Sequence, residues 1–166
     1  MNLRKIFMSI CCIMSLVSCV GPRLTAEQKV VKAAHVAQLV QEKVSARHFT
    51  IMVNYMYPFR GPSQPLTDRW SLAVDNDTVS SYLPYFGVSY RQPYGGGKGL
   101  HFEGPIHEMQ IDNSKKTFVQ VSFITNNDAE NLMYLIDVYD NGTAEIAVRS
   151  ENSDPIRFSG ELWLDQ

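Results

Sequence analysis

Polar and apolar positions follow one of two periods along this chain, and the change from one to the other comes early. Between residues 26 and 44, Ala26, Val30, Ala33, Ala37, Val40 and Val44 recur in alternating steps of four and three, the spacing that lines one face of an α-helix. Thr25-Ala26-Glu27-Gln28 supplies a start: a hydroxyl that can cap the first turn, and a Gln three residues on that can reach back to it. Glu27 falls in the electropositive first turn, and Lys43 and Arg47 suit the electronegative end, so the helix is expected from Thr25 to about Ser45. A stripe of Val and Ala suits packing on the face of a sheet.

From His48 the period becomes two. Phe49, Ile51, Val53, Tyr55 and Tyr57 alternate with Thr50, Met52, Asn54 and Met56, the pattern of a strand with one buried face. Further strands are expected around Trp70-Leu72-Val74, Thr78 to Leu83, Ile106 to Ile111, Val119 to Phe123, Leu132 to Val138, Ala144 to Val148 and Ile156 to Leu164, and Leu100 to Glu103 also reads as strand. Turn chemistry separates them: Gly61-Pro62, Asp75-Asn76-Asp77, Asp112-Asn113-Ser114, Asn152 to Pro155, and Asn141-Gly142, which predicts a type I′ hairpin. Successive hairpins imply an antiparallel meander. The expected fold is therefore mainly β (α+β): one N-terminal helix packed on a curled antiparallel meander sheet or open barrel of about eight strands.

One stretch breaks the pattern, Tyr82 to Gly104, reading YLPYFGVSYRQPYGGGKGLHFEG. Pro84 fixes its own φ and belongs at a strand end or edge, while Gly87 permits a sharp turn. Tyr82, Tyr85, Phe86, Tyr90 and Tyr94 offer large rings with polar tips, and Lys98 adds a charge. These residues are either a core-closing corner or a binding lip; full burial of the rings would remove the second reading. Gly95-Gly96-Gly97-Lys98-Gly99 is not a phosphate loop, because Lys98 is followed by Gly99 rather than Ser or Thr and by a strand rather than a helix.

Leu83-Pro84-Tyr85-Phe86-Gly87, the following Tyr90, Pro93-Tyr94-Gly95 and Gly99-Leu100-x-Phe102 resemble the bacterial lipoprotein family known as domain of unknown function 4251. The resemblance runs from about Thr25 to near Leu164 and includes Asn141-Gly142. It implies an envelope location and a β-rich fold. It implies no activity and carries over no catalytic residue.

The N-terminus agrees with that location on independent grounds. Arg4 and Lys5 precede an apolar run from Ile6 to Val17 that is short for a bilayer span. It ends Leu16-Val17-Ser18-Cys19, which resembles a lipobox. Residues 1–18 are read as a lipoprotein signal peptide, residues 19–24 as the lipidated Cys19 and its tether, and residues 25–166 as a single globular domain. A multiply acylated Cys19 would hold the protein on its membrane. The expected placement is the bacterial outer membrane facing the periplasm, with the cell surface as the other orientation. Cys11 and Cys12 would leave with the signal and Cys19 would carry lipid, so the mature chain would have no thiol for catalysis, disulfides or metal.

Composition narrows the partners. The formal charge of −2 and pI near 6.1 give no nucleic-acid surface. His101, Glu103, His107 and Glu108 form the only constellation with metal-ligand types at plausible spacing, His101, Glu103 and His107 being the candidates if His107 lies on a strand paired back across Gly104-Pro105; solvated strand residues are the simpler reading, and no cofactor is expected. No Gly-x-Ser-x-Gly elbow is present, and Asp68, Asp75, Asp77, Asp112 and Asp140 sit beside turns, where carboxylates serve the local backbone. The expected function is a non-enzymatic envelope binding module, its partner an envelope protein, a glycan or a cell-wall fragment. A lipocalin-like carrier of a small apolar ligand and an envelope hydrolase are the alternatives.

Overall fold

The computed structural model describes residues 25–90, 99–128 and 130–164, and the chain divides into two compact units, Met1–Val31 and Lys32–Gln166. The first contributes the start of helix α1 (Ala26–Ser45), where the expected capping box is formed: Gln28 N donates to Thr25 Oγ1 at 3.3 Å and Thr25 N to Gln28 Oε1 at 2.9 Å. Within the second unit the apolar stripe of α1 is used only in its last turns. Val40 and Val44 are buried with Val36 packed against them, Ala37 is half-buried and Ala33 is exposed.

Eight strands follow: β1 (His48–Pro58), β2 (Gln64–Asp75), β3 (Thr78–Tyr82), β4 (His101–Asp112), β5 (Phe118–Asn126), β6 (Asn131–Tyr139), β7 (Thr143–Ser150) and β8 (Ile156–Leu162). Each pairs antiparallel with the next and β8 pairs with β1, so the meander is a closed barrel. Alternation holds cleanly on β5 to β8, which turn their apolar sets inward. On β1 a bulge between Val53 and Tyr55 shifts the phase, so that Met56 is buried where the sequence period pointed to Tyr55 and Tyr57, which are half-buried and exposed. Val121, Ile136, Ile146 and Phe158 stand opposite one another on β5 to β8, and beside them run Phe123, Tyr134, Val148 and Ile156. All eight are buried, and the Phe123 and Tyr134 rings stack at 5.0 Å. The interior also holds hydroxyls. Tyr134 OH lies 3.1 Å from Ser81 Oγ, which donates to Leu100 O at 2.7 Å. Burial pushes the Tyr134 phenol far above its ordinary range, with the Ser81 contact opposing.

Two further local expectations are corrected. Gly104-Pro105 is no turn: β4 runs through it, with Gly104 opposite Val79 and Pro105 opposite Thr78. The proline stands where pairing passes from β3 to β5, which begins at Ile106 opposite Thr125, so its missing N–H interrupts neither ladder. The hairpin at Asn141-Gly142 is not type I′, which needs positive φ at both central residues. Only Gly142 has it (φ 87°), and Gly142 N closes a turn onto Tyr139 O at 2.8 Å. Asn141 instead accepts from Thr143 N at 3.0 Å and from Thr143 Oγ1 at 2.7 Å, a local side-chain turn that stabilises the same reversal by another route.

Candidate functional site

The lip leaves the barrel at the end of β3 and folds back over it. Leu83 is buried and its N–H donates to Leu100 O at 3.2 Å. After Pro84 the half-buried Tyr85 turns inward, its hydroxyl lying 3.1 Å from Asp154 O and 3.3 Å from Val88 O. The ring lies so close to Gly87 that a Cβ there would stand 2.7 Å from the Tyr85 hydroxyl and 3.2 Å from Asp154 Cβ. A side chain at Gly87 would push the Tyr85 hydroxyl away from its place beside the Asp154 and Val88 carbonyls, so the glycine of the LPYFG stretch suits the tyrosine two residues before it.

Residues 88–90 then pair with residues 152–154. Asp154 N donates to Val88 O at 3.0 Å, Tyr90 N to Asn152 O at 2.7 Å, and Ser89 bridges Ser153. One carboxylate fixes this strap. The Asp154 side chain is only 4% exposed; its Oδ2 accepts from Val88 N at 3.2 Å and lies 3.4 Å from Arg60 Nε, and its Oδ1 accepts from Tyr90 OH at 2.9 Å. Arg60, on the loop after β1, also donates to Tyr90 OH at 3.2 Å. Behind the strap Glu130 accepts from Ser153 Oγ at 3.0 Å and from Ser150 Oγ. Three loops distant in sequence are thereby tied into one surface.

That surface presents rings. Phe86 is 54% exposed, Tyr90 62%, and Phe59 beside Arg60 63%, with Val88 exposed between them. The Arg60 guanidinium carbon lies 6.0 Å from the Phe59 ring centroid.

A family model described as Domain of unknown function (DUF4251) matches residues 31–162, which include the barrel strands, the LPYFG stretch and Asp154. The chain belongs to the DUF4251 family. Its fold is similar to the crystal structure of a DUF4251 family protein from Bacteroides eggerthii DSM 20697, with a TM-score of 0.63 and 17% identity over 80% of this chain and 89% of that one. No curated protein matches the chain.

In this DUF4251 protein the residues expected to form the lip separate into distinct roles. Phe86 and Tyr90 are surface rings, and Tyr85 is an anchor rather than a contact residue. Tyr82 is not in the lip: it points outward from β3, stacked on Trp70 at 4.8 Å and meeting the His101 ring edge-on at 4.5 Å. Tyr94, Lys98 and Cys19 lie outside the described residues. Phe59, Arg60 and Asp154 were not expected. Their only sequence signals were an aromatic–cation pair in a Gly/Pro loop and an acid in a turn, and neither tells that the two loops meet.

The His101, Glu103 and His107 set is not assembled. With β4 unbroken, all three project from its outer face, and His107 stands four residues beyond Glu103, about 13 Å along a strand. Among the described residues no three potential ligands converge.

Tyr90 gives the strap a pH signature. Its hydrogen bond to Asp154 raises its pKa above the ordinary tyrosine value, burial and the Asp154 charge add to this, and Arg60 opposes. A raised folded-state pKa means the strap is favoured below the ordinary range and released as pH rises through the folded value. Ultraviolet titration should show Tyr90 ionising late, and Asp154→Ala should bring that ionisation back to lower pH. An unchanged titration would separate Tyr90 from Asp154 in solution.

Proposed function

We propose that this DUF4251 chain is a non-enzymatic binding module of the cell envelope that docks a protein partner on the patch formed by Phe59, Phe86, Val88 and Tyr90. The observation that carries the reading is that these exposed side chains stand on loops tied together by one buried carboxylate. Exposed aromatic and arginine side chains held in place before binding lose little entropy on contact, and these residue types are enriched where interfaces concentrate their energy. A protein partner is favoured over a glycan by the same geometry. Asp154 commits its oxygens to Val88, Tyr90 and Arg60, so they do not stand open as acceptors for sugar hydroxyls. The apolar-carrier alternative is disfavoured by an interior occupied by Ile51, Leu72, Phe123, Tyr134 and Phe158, each under 2% exposed.

Anchorage through Cys19 at the outer membrane, facing the periplasm, is part of the same proposal and is supported by Leu16-Val17-Ser18-Cys19 after its apolar run. Fatty-acid labelling of the protein should disappear in Cys19→Ala. For docking, a photo-crosslinking amino acid at position 86 or 59, in cells that make the protein, should yield one discrete protein adduct. The same residue at position 103, on the outer face of β4, should not. Identical adducts at all three positions, or none, would remove the docking reading.

A further inference from the structure

The aromatic patch continues into a groove of about 520 Å³ on the barrel wall, lined by Tyr57, Phe59, Ala147, Arg149, Ile156 and Arg157 among others. Its lining contains two arginines and no acidic residue. Ala147 of β7 is paired with Arg157 of β8, so Arg149, two residues along, is the diagonal neighbour of Arg157 on the same outward face. Arg157 packs over the Tyr57 ring, its guanidinium carbon 5.8 Å from the centroid. Acids stand on either side: Asp137 and Glu145 line the adjoining groove that Arg157 shares, and Glu130 and Glu151 the one that Arg149 shares. Yet among the described residues neither arginine has a carboxylate oxygen within the 4.0 Å ion-pair distance. In a chain of net charge −2, two exposed guanidinium groups without an ion-pair partner, side by side in an apolar-walled groove, are a local reversal of sign.

We infer that the partner lays an acidic, extended peptide segment into this groove, with two carboxylates two residues apart, one on Arg149 and one on Arg157. The spacing is the argument. Diagonal neighbours on a sheet stand roughly 7 Å apart, and in an extended peptide side chains two apart on one face are also separated by about 7 Å. Arginine takes carboxylates in a two-point fork, which fixes the direction as well as the charge of what binds. Tyr57, Phe59 and Ala147 offer the apolar wall for the intervening residue. Phe59 belongs to both groove and patch, so this inference deepens the docking reading and rests on it.

The test is fluorescence anisotropy with labelled hexaglutamate, using hexaserine and phosphatidylglycerol vesicles as comparisons. Hexaglutamate should bind more tightly than hexaserine and lose affinity with salt. Arg149→Gln and Arg157→Gln should each weaken it about tenfold, and Lys115→Gln, which removes a positive charge from the exposed turn after β4, should leave it unchanged. Binding no better than hexaserine, indifference to both arginine substitutions, or binding of vesicles through these arginines without hexaglutamate binding would overturn the inference. Failure of hexaglutamate with the position-86 crosslink intact sinks the groove assignment alone. Loss of that crosslink with hexaglutamate bound through both arginines sinks the docking reading and leaves the acidic-peptide site standing.

Discussion

Gly160→Ala is expected to be the most damaging single-methyl change in the barrel. A Cβ at Gly160 would abut the Met52 carbonyl oxygen and stand 2.9 Å from both the Met52 carbonyl carbon and Val53 Cα. All three atoms are backbone of β1, and β1 is held on its other side by β2, with Met52 opposite Ser71 and Val53 opposite Trp70. No rotamer change relieves the clash. Either β1 moves away from β2 or the β8–β1 seam opens. Overpacking a core usually costs about 1–3 kcal/mol because side chains give way; here backbone must, so about 3 kcal/mol or more is expected, roughly 10 °C in Tm. Gly61→Ala is the control: its left-handed φ of 98° carries strain, but no atom lies within 4 Å of the added carbon, so about 1 kcal/mol is expected there. Circular-dichroism melts of the two variants decide the matter. Equal melting temperatures would mean that the seam is looser than its geometry states.

Asp154→Ala is expected to detach the lip while leaving the barrel standing. It leaves Val88 N–H without its acceptor, releases Tyr90 OH and removes the counter-charge from Arg60. Arg60 is well exposed, so its pair contributes little. The loss comes mainly from hydrogen bonds to a buried charged acceptor, about 2 kcal/mol. Asp154→Asn retains an acceptor oxygen without the charge and should lose less than half as much. The diagnostic is local. Hydrogen exchange at the Val88 and Tyr90 amides should accelerate about tenfold or more in Asp154→Ala, exchange in β5 to β7 should hold, and the crosslink from position 86 should fall with the strap. Uniform acceleration across the barrel would make Asp154 a general stability residue and not a latch.

The sequence discloses this fold wherever one strand's own alternation suffices. Phe123, Tyr134, Ile146 and Phe158 were legible as inward because each sits in phase with its neighbours two residues away, and the capping box at Thr25 is contained in four residues. Tyr82 could have been placed the same way: it alternates with the buried Val79, Ser81 and Leu83 set, so it had to face outward. What was not legible depends on distance. Closure of β8 on β1 joins Ile51 to Leu162, and the Asp154 latch joins turns that also begin other strands. A Gly-Pro dipeptide reads as a turn unless the change of partner at Ile106 is known, which lies in no local pattern. The upper stripe of α1 has the helical period without the burial, because period reports a face and not what meets it.

Closure also fixes when the molecule can come into being. Since the first strand finds its second partner only in the last, a chain still emerging from the ribosome holds β1 and β7 with one side each unmatched until Ile156–Leu162 is available. Contacts that span the whole domain form late and slowly, and the open intermediate offers two bare edges to other chains. In the finished barrel β8 covers both of these edges. A chain truncated before β8 would therefore be an aggregating species and not a weaker copy of the protein.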